Sequence, residues 1–375
     1  MIKITLRLEF MTKNTDKKNQ HYIPKFYLRN FSYKGNNKQI GLFNLKRSFY
    51  HPTAKLKTQG ARNFFYGKDG KVEDFLSKVE GKMSKVINSI VQTQLLPKKT
   101  DETYLELLHF VGLTNLRNPA IIDLFEKILP QALRERTQEL DDKTDAYEHF
   151  PDMAHDMVVE VALTNVAHII ECIVDLDYRL LINQTKRPFI GSDFPVVRYN
   201  QFLEERRPKS DSNVGYGTIG LQIFIPLSPK LTLLLYDPLI YQVGKKNNSS
   251  YLQITKLGDI HQLNILQFLN CIEHVYFNEM GTKQYVENLH QRSSKYQKAN
   301  KAVTELHHTV KRGDFYQVIK PDDRKKPNLL SAGTTDCKIK LNLSFVKQTK
   351  DASKVMLDGF VPLRPIPRKI MEDRK

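Results

Sequence analysis

The chain has no tryptophan, only three cysteines and no apolar run near the ~18 residues of a membrane-spanning helix. Cys172, Cys271 and Cys337 are widely separated, which excludes a disulfide framework and the paired spacing of a zinc site. The first ten residues alternate apolar and polar side chains, as a strand does, and lack the apolar block of a secretory signal. Met11 is an alternative start. We therefore expect a cytoplasmic protein with no membrane partner.

Several motifs that identify enzymes are also missing. The sequence has no Gly-rich phosphate loop, no Gly-x-Ser-x-Gly elbow, no His-Glu-x-x-His and no Cys-x-x-Cys. The activity therefore cannot be identified from a standard catalytic motif.

Acidic residues are scarce at both ends of the chain. Residues 1–100 contain 21 Lys and Arg against 6 Asp and Glu, and residues 281–375 contain 21 against 10. The net charge is +17, so the middle of the chain is acidic. Basic flanks of this kind favour contact with phosphate backbones, and nucleic acid is the expected partner. The alternative is a set of solvated lysine faces that partly pair with the acidic middle.

The periodicity predicts an α+β fold with a helical N-terminal half packed on a mainly antiparallel sheet. Helical spacing covers 72–91, 102–117, 119–129 and 153–174, and a further apolar helix is expected over 259–272. Short strands are expected over 39–45 and 61–67, and later over 178–183, 219–227 and 231–236. The last two flank Ser228-Pro229-Lys230 and predict a hairpin.

We predict three segments in the chain. Residues 1–19 are a leader strand or flexible arm, and 20–280 are a single α+β core domain. Residues 281–375 are a basic helical appendage, with one apolar stripe from Val286 to Val310, followed by a loosely ordered tail.

One motif near the start resembles a known family. Residues 21–31 read His-Tyr-x-Pro-x-Phe-Tyr-Leu-x-x-Phe, and "GSDFPVV" follows at Gly191–Val197. With weaker matches at "NFFY", "RNP" and "IPLSP", these resemble the family catalogued as domain of unknown function 4238, over about residues 20–280. The resemblance implies a large intracellular domain of microbial distribution without a settled activity.

His21, Arg29 and Asp193 are the candidate catalytic residues. A histidine is a general base near neutral pH, and an arginine can hold a phosphate through two hydrogen bonds. Asp193 would orient His21 or bind a metal; alternatively, it makes an Asx turn. Candidate substrate-binding residues are Lys25, Tyr27 and Arg117. The structural alternative places the aromatic residues in the core and uses Arg117 to stabilise a helix end.

A divalent metal is the expected cofactor if the chain is a nuclease, either Mg²⁺ or Mn²⁺. Glu73 and Glu80 lie seven residues apart on one helix face and could bind it together with Asp193. A solvated acidic stripe is the alternative. His21, Asn44 and His51 also follow the order of ββα-metal nucleases, although Gln20 stands where an acidic residue is usual.

The leading hypothesis is a nucleic-acid-binding protein with metal-dependent nuclease or processing activity, and a defence or toxin-like role would fit it. One alternative is a non-enzymatic interaction module in which the motifs join the helical half to the sheet. Another is a hydrolase of a small phosphorylated ligand. An open cleft that holds His21, Arg29 and Asp193 would favour an enzyme, whereas buried side chains would favour the interaction module.

Overall fold

The computed structural model describes residues 18–138, 155–207, 210, 212–244, 249–312, 315–319, 329–355 and 363–373. Its helices are α1 Lys25–Arg29, α2 Lys71–Thr93, α3 Glu102–Leu116, α4 Pro119–Gln138, α5 His155–Thr164, α6 Val166–Ile173, α7 Gln201–Arg206, α8 Leu257–Asn270, α9 Lys283–Ser293 and α10 Pro365–Glu372. Its strands are β1 Asn19–His21, β2 Gln39–Asn44, β3 Phe49–Lys55, β4 Ala61–Asn63, β5 Asp177–Asn183, β6 Gly191–Ser192, β7 Val197–Tyr199, β8 Gln222–Ser228, β9 Leu231–Tyr236, β10 Tyr241–Val243, β11 Tyr251–Ile254, β12 His274–Phe277, β13 Asn300–Arg312, β14 Phe315–Ile319, β15 Leu329–Thr335 and β16 Val346–Gln348. The strand expected within the first ten residues lies outside the described part of the chain.

A five-stranded sheet in the order β11–β5–β9–β8–β7 separates two hydrophobic cores. The β8–β9 hairpin forms as predicted, and β11 is parallel to β5 while the other neighbours are antiparallel. Side chains alternate across a strand, so Ile223 and Ile225 face the helices of the first core while Phe224 faces the second. Burial on both faces explains why these strands have nearly continuous apolar sequences.

The helices α2 to α6 cover one side of this sheet. In α2 the buried positions recur every three or four residues, as for Met83, Val86, Ile87 and Ile90, whereas α3 is buried around most of its surface. The predicted α+β class, with helices on a mainly antiparallel sheet, is confirmed. The N-terminal half also contains the strands β1 to β4.

A second sheet joins the N-terminal segment to the rest of the chain. Its order is β3–β2–β12–β6, and β12 pairs antiparallel with both β2 and β6. Strands from residues 39–44 and 191–192 therefore lie on either side of one strand from residues 274–277. Backbone hydrogen bonds between segments distant in sequence hold the beginning of the family-like region to its end.

The predicted helix from Val286 to Val310 is wrong beyond Ser293, where α9 ends. Residues Asn300–Arg312 form β13, which pairs antiparallel with β14 and β15. This segment contains Val303, Thr304, Thr309 and Val310, and β-branched residues favour strands because their χ1 angle is restricted in a helix. The apolar spacing fitted a helix by coincidence.

The prediction of a loosely ordered tail is also wrong for the parts of the tail that the structure describes. Cys337, Ile339, Leu341 and Leu343 are buried at alternate positions and join the second core. Arg364 is only 1% exposed; its Nε lies 2.9 Å from Asp175 Oδ2 and its Nη1 donates to the carbonyl of Thr218. Apolar burial and a buried ion pair therefore fix segments on both sides of residues 356–362. Within the described residues, no helix is long and apolar enough to cross a membrane.

Candidate functional site

The motif around His21 presents an apolar face inward and basic residues outward. Pro24 precedes α1, whose short turn buries Phe26, Tyr27 and Leu28. Lys25 and Arg29 are exposed on the opposite face. Tyr27 has no exposed surface, so it is not accessible to a substrate. The motif is therefore a core anchor that displays two cations.

Four further exposed basic residues lie on segments close to the motif in the fold. Lys38 accepts a backbone hydrogen bond from Leu56, Lys55 pairs with Gln39 in the β2–β3 register, and the carbonyl of Lys57 accepts from the Asn19 side chain. Arg62 lies on β4, opposite Gln20 of β1. We call the exposed side chains of this region the basic corner: Lys25, Arg29, Lys38, Lys55, Lys57 and Arg62.

The basic corner rests on a tight contact between Ile23 and Gly60. The N–H of Ile23 donates to the Gly60 carbonyl at 3.1 Å, and Gly60 has a φ of +59°. A Cβ at position 60 would lie 2.7 Å from Ile23 Cβ, so glycine is required both by the close approach and by the backbone conformation. The backbone beneath the corner is thus closely packed at this point.

His21 is buried beneath this surface, with 7% of its area exposed. Its Nε2 atom is buried without a hydrogen-bond partner in the described structure. Burial, together with the positive charges of Lys25 and Arg117, lowers the pKa of His21 from 6.5 to about 4. The ring is therefore neutral at pH 7, but it is enclosed rather than presented to a ligand.

Arg117 binds the backbone of the same motif. Its Nη2 donates to the carbonyl of His21, its Nε donates to the hydroxyl of Tyr66 at 2.8 Å, and its Nη1 lies 2.5 Å from Glu80 Oε1. The guanidinium is 1% exposed. Each of its three nitrogens makes a hydrogen bond and the side chain is buried, so Arg117 is not accessible to a substrate.

Asp193 has a comparable structural role in the same region of the fold. It is 2% exposed, and its carboxylate accepts hydrogen bonds of 2.7, 2.8 and 2.9 Å from the backbone N–H groups of Ile272, Glu273 and His274. These groups connect α8 to β12. Asn118 also donates to the Asp193 carbonyl at 2.7 Å. Asp193 therefore stabilises a chain turn, and it does not orient His21.

Residues 19–280 match the model of DUF4238, a protein family of unknown function. The chain belongs to this family. Neither the curated proteins nor the solved structures contain a match to the chain.

The two more specific DUF4238 motifs of this chain meet the "RNP" motif in one buried network. Arg117 of "RNP" binds the carbonyl of His21, and Asn118 binds the carbonyl of Asp193 in "GSDFPVV". α8 adds side-chain amides: Gln267 donates to Pro195 and Asn270 donates to Phe194. The motifs thus join the helical layer to the sheet.

The candidate catalytic residues do not form one site in this DUF4238 chain. Arg29 is exposed, whereas the side chains of His21 and Asp193 are buried and the Asp193 carboxylate is held by backbone N–H groups. Of the three candidate substrate-binding residues, only Lys25 is exposed; Tyr27 and Arg117 are enclosed.

The candidate metal ligands are also not brought together among the residues described. Glu80 is paired with Arg117, and Glu73 lies on the same helix near Tyr66, away from the groups that hold Asp193. Asn44 contacts His274 Nε2 at 2.9 Å, and His51 Nδ1 accepts from the Thr53 backbone. In this part of the chain, no three His, Cys, Asp or Glu side chains come together as a metal site.

Sequence reasoning missed Lys38, Lys55, Lys57 and Arg62 as partners of Lys25 and Arg29. The usable signal was the β2–β3 hairpin, which brings the start of β2 beside the end of β3. Its register could have placed Lys55 next to Lys38, but the docking of α1 depends on contacts across the fold.

Proposed function

We propose that this protein binds nucleic acid backbones through the basic corner. The observation that carries the proposal is a group of six exposed cations with no carboxylate within ion-pair distance among the described residues. Residues 18–100 contain 17 Lys and Arg against 4 Asp and Glu. Outside this range, Asp123 of α4 interacts electrostatically with Arg62 without forming an ion pair among the described residues. Unpaired, exposed cations gain most from phosphate groups because they release condensed counterions.

The hydrogen-bonded elements beneath the corner support the same conclusion. The six side chains extend from α1, the two ends of the β2–β3 hairpin, the turn after it and β4. Flexible side chains on fixed anchors suit repeated phosphates, which need position and charge but no base readout. The proposal therefore concerns sequence-independent affinity.

Cleavage by His21, Arg29 and Asp193 is not included in the proposal. A general base must come within hydrogen-bond reach of its substrate, and His21 lies beneath the surface with a neutral, enclosed ring. The burial of Asp193 also disfavours a metal-assisted mechanism at this position.

Fluorescence anisotropy with labelled single- and double-stranded DNA and RNA tests the proposal. The double variant Lys25→Gln/Arg29→Gln should weaken binding at least tenfold at low salt. It should also reduce the slope of log K against log salt by about 1.5, since each lost contact removes about 0.7 to 0.9. The matched control is Lys78→Gln/Lys85→Gln, which removes two exposed charges from α2 outside the corner.

Equal losses in the two double variants would show that net charge alone causes the binding, and would refute a specific corner. Absence of binding by the wild type would refute the proposal and favour the interaction module. The same oligonucleotides should be incubated with Mg²⁺, Mn²⁺ or EDTA. Metal-dependent cleavage that His21→Gln abolishes would restore the nuclease hypothesis.

A further inference from the structure

A second site of positive charge lies between α8 and α9, in a cavity of about 410 Å³. The side chains that line this α8–α9 cavity include Arg187, Leu257, His261, Tyr285, Leu289 and Arg292. No carboxylate is among its lining residues. The volume falls in the range of small-molecule sites, and it is larger than a single inorganic ion requires.

The two arginines are held in place by different means. The guanidinium of Arg187 lies over the Tyr285 ring, 4.6 Å from its centroid. The backbone carbonyl of Arg187 accepts a hydrogen bond of 2.6 Å from Asn183 Nδ2. Arg292 Nη1 lies 3.2 Å from His261 Nδ1. Neither guanidinium pairs with a carboxylate among the described residues, so both retain donors for a ligand.

His261 and Tyr285 also present donors rather than negative charge. Arg292 donates to Nδ1 of His261, which leaves the ring proton on Nε2. Burial and the neighbouring arginines lower the pKa of His261, in agreement with a neutral ring. Asn264 donates to the Tyr285 hydroxyl at 2.9 Å, and burial raises the pKa of this phenol to about 12, so it keeps its proton.

The rest of the wall combines two leucines with the amide side chains of Gln284 and Asn288. Leu257 is 42% exposed at the start of α8, and Leu289 is buried on α9. A ligand that satisfied only the arginines would leave Leu257 in contact with water. An organic body beside the anionic group would cover that side chain.

We propose that the α8–α9 cavity binds a small organic phosphate monoester, with Arg187 and Arg292 on the phosphate and the organic body against Leu257 and Leu289. The planar guanidinium fork matches the oxygens of a phosphate and can bind two of them at once. Two guanidinium groups that line one cavity match the two negative charges of a phosphate dianion. This site is independent of the basic corner and of the function proposed for it.

Isothermal titration calorimetry with adenosine monophosphate tests the site, with adenosine, inorganic phosphate and succinate as comparison ligands. Adenosine monophosphate should bind saturably and at least tenfold more tightly than each of the other three. Arg292→Gln and Arg187→Gln should each weaken it at least tenfold. Lys283→Gln on the same helix, which is paired with Glu287 outside the cavity, should bind like the wild type.

Arg292 is exposed, so its variant should keep the thermal unfolding midpoint of the wild type even if Arg187→Gln disturbs the stacking on Tyr285. The basic-corner variant Lys25→Gln/Arg29→Gln should bind adenosine monophosphate normally, which separates this site from nucleic-acid binding. Lack of saturable binding, adenosine binding as tight as the monophosphate, succinate binding as tight as the monophosphate, or unchanged affinity in Arg292→Gln would overturn the assignment.

Discussion

Acidification should destabilise this protein through His21, whose ring is buried and neutral in the folded chain. Burial, Lys25 and Arg117 lower the pKa of the ring to about 4, against 6.5 in an exposed histidine. The unfolded chain therefore binds more protons between pH 6.5 and pH 4. The free energy of unfolding falls as the pH falls through this window, and the His21 contribution is constant above and below it.

The magnitude follows from the size of the pKa difference. At ~1.4 kcal/mol per pKa unit, the full effect is about 3 kcal/mol, and about 2.5 kcal/mol of it is present at about pH 4.5. The unpartnered Nε2 gives a structural reason for the direction, because a proton added there would have no acceptor. A loss of this size is a large part of the stability of a typical domain.

Urea unfolding followed by circular dichroism should be measured at about pH 7 and about pH 4.5 for the wild type and for His21→Gln. The variant cannot titrate at this position, so it should lose about 2.5 kcal/mol less than the wild type. His168→Gln changes a histidine whose side chain is 57% exposed, and it should retain the wild-type loss because His21 is intact.

Equal losses in the wild type and His21→Gln would refute the reasoning. An NMR titration of the histidine ring carbons gives an independent check. A His21 resonance that titrates near pH 6.5 in the folded protein would show that the ring is accessible, and it would reopen the possibility of a general base.

Three further predictions concern buried polar contacts. Asp193→Ala should lower the free energy of unfolding by about 3 to 5 kcal/mol because it leaves three backbone N–H groups unpaired, and Asp193→Asn should lower it less. An unchanged urea midpoint for the alanine variant would contradict the structural role. Arg117→Gln should lower the free energy of unfolding by about 3 to 5 kcal/mol, and Glu80→Gln should lower it less because Glu80 is 25% exposed. Equal urea midpoints for the two variants would be evidence against this difference in burial. Arg364→Gln should lower the free energy of unfolding by a similar amount because Asp175 loses its partner. Limited proteolysis of this variant should then cleave near the C-terminus. Resistance to the protease equal to that of the wild type would mean that Arg364 does not hold the C-terminal segment in place.

The sequence predicted those features that depend on near neighbours. The β8–β9 hairpin followed from two apolar runs around Ser228-Pro229-Lys230, and α8 followed from apolar spacing and lay within two residues of the predicted ends. The aromatic residues Phe26, Tyr27 and Phe31 of the motif at His21 are buried, as the structural alternative expected. Family membership also followed from local motifs. Periodicity and turn chemistry operate over a few residues, so one sequence is enough to reveal them.

The same periodicity failed where two structures fit one pattern. The apolar positions from Val286 onward match a helix, yet only the segment to Ser293 is helical. Beyond it, β13 gains hydrogen bonds from β14 and β15, and the sequence of β13 alone does not contain that information. Tertiary pairing decided between strand and helix.

Only the tertiary structure decided which polar residues are accessible. Arg117 lies 96 positions from His21 in sequence, and Arg364 lies 189 from Asp175. Contacts over such separations determine whether a carboxylate faces solvent or binds backbone N–H groups, and no local pattern encodes them. The sequence by itself determined the fold class, the β8–β9 hairpin, the family and the positive charge. The long-range packing turned His21, Arg117 and Asp193 inward and left Lys25 and Arg29 on the surface, because apolar burial fixes the helix faces and buried polar groups must then find partners across the fold.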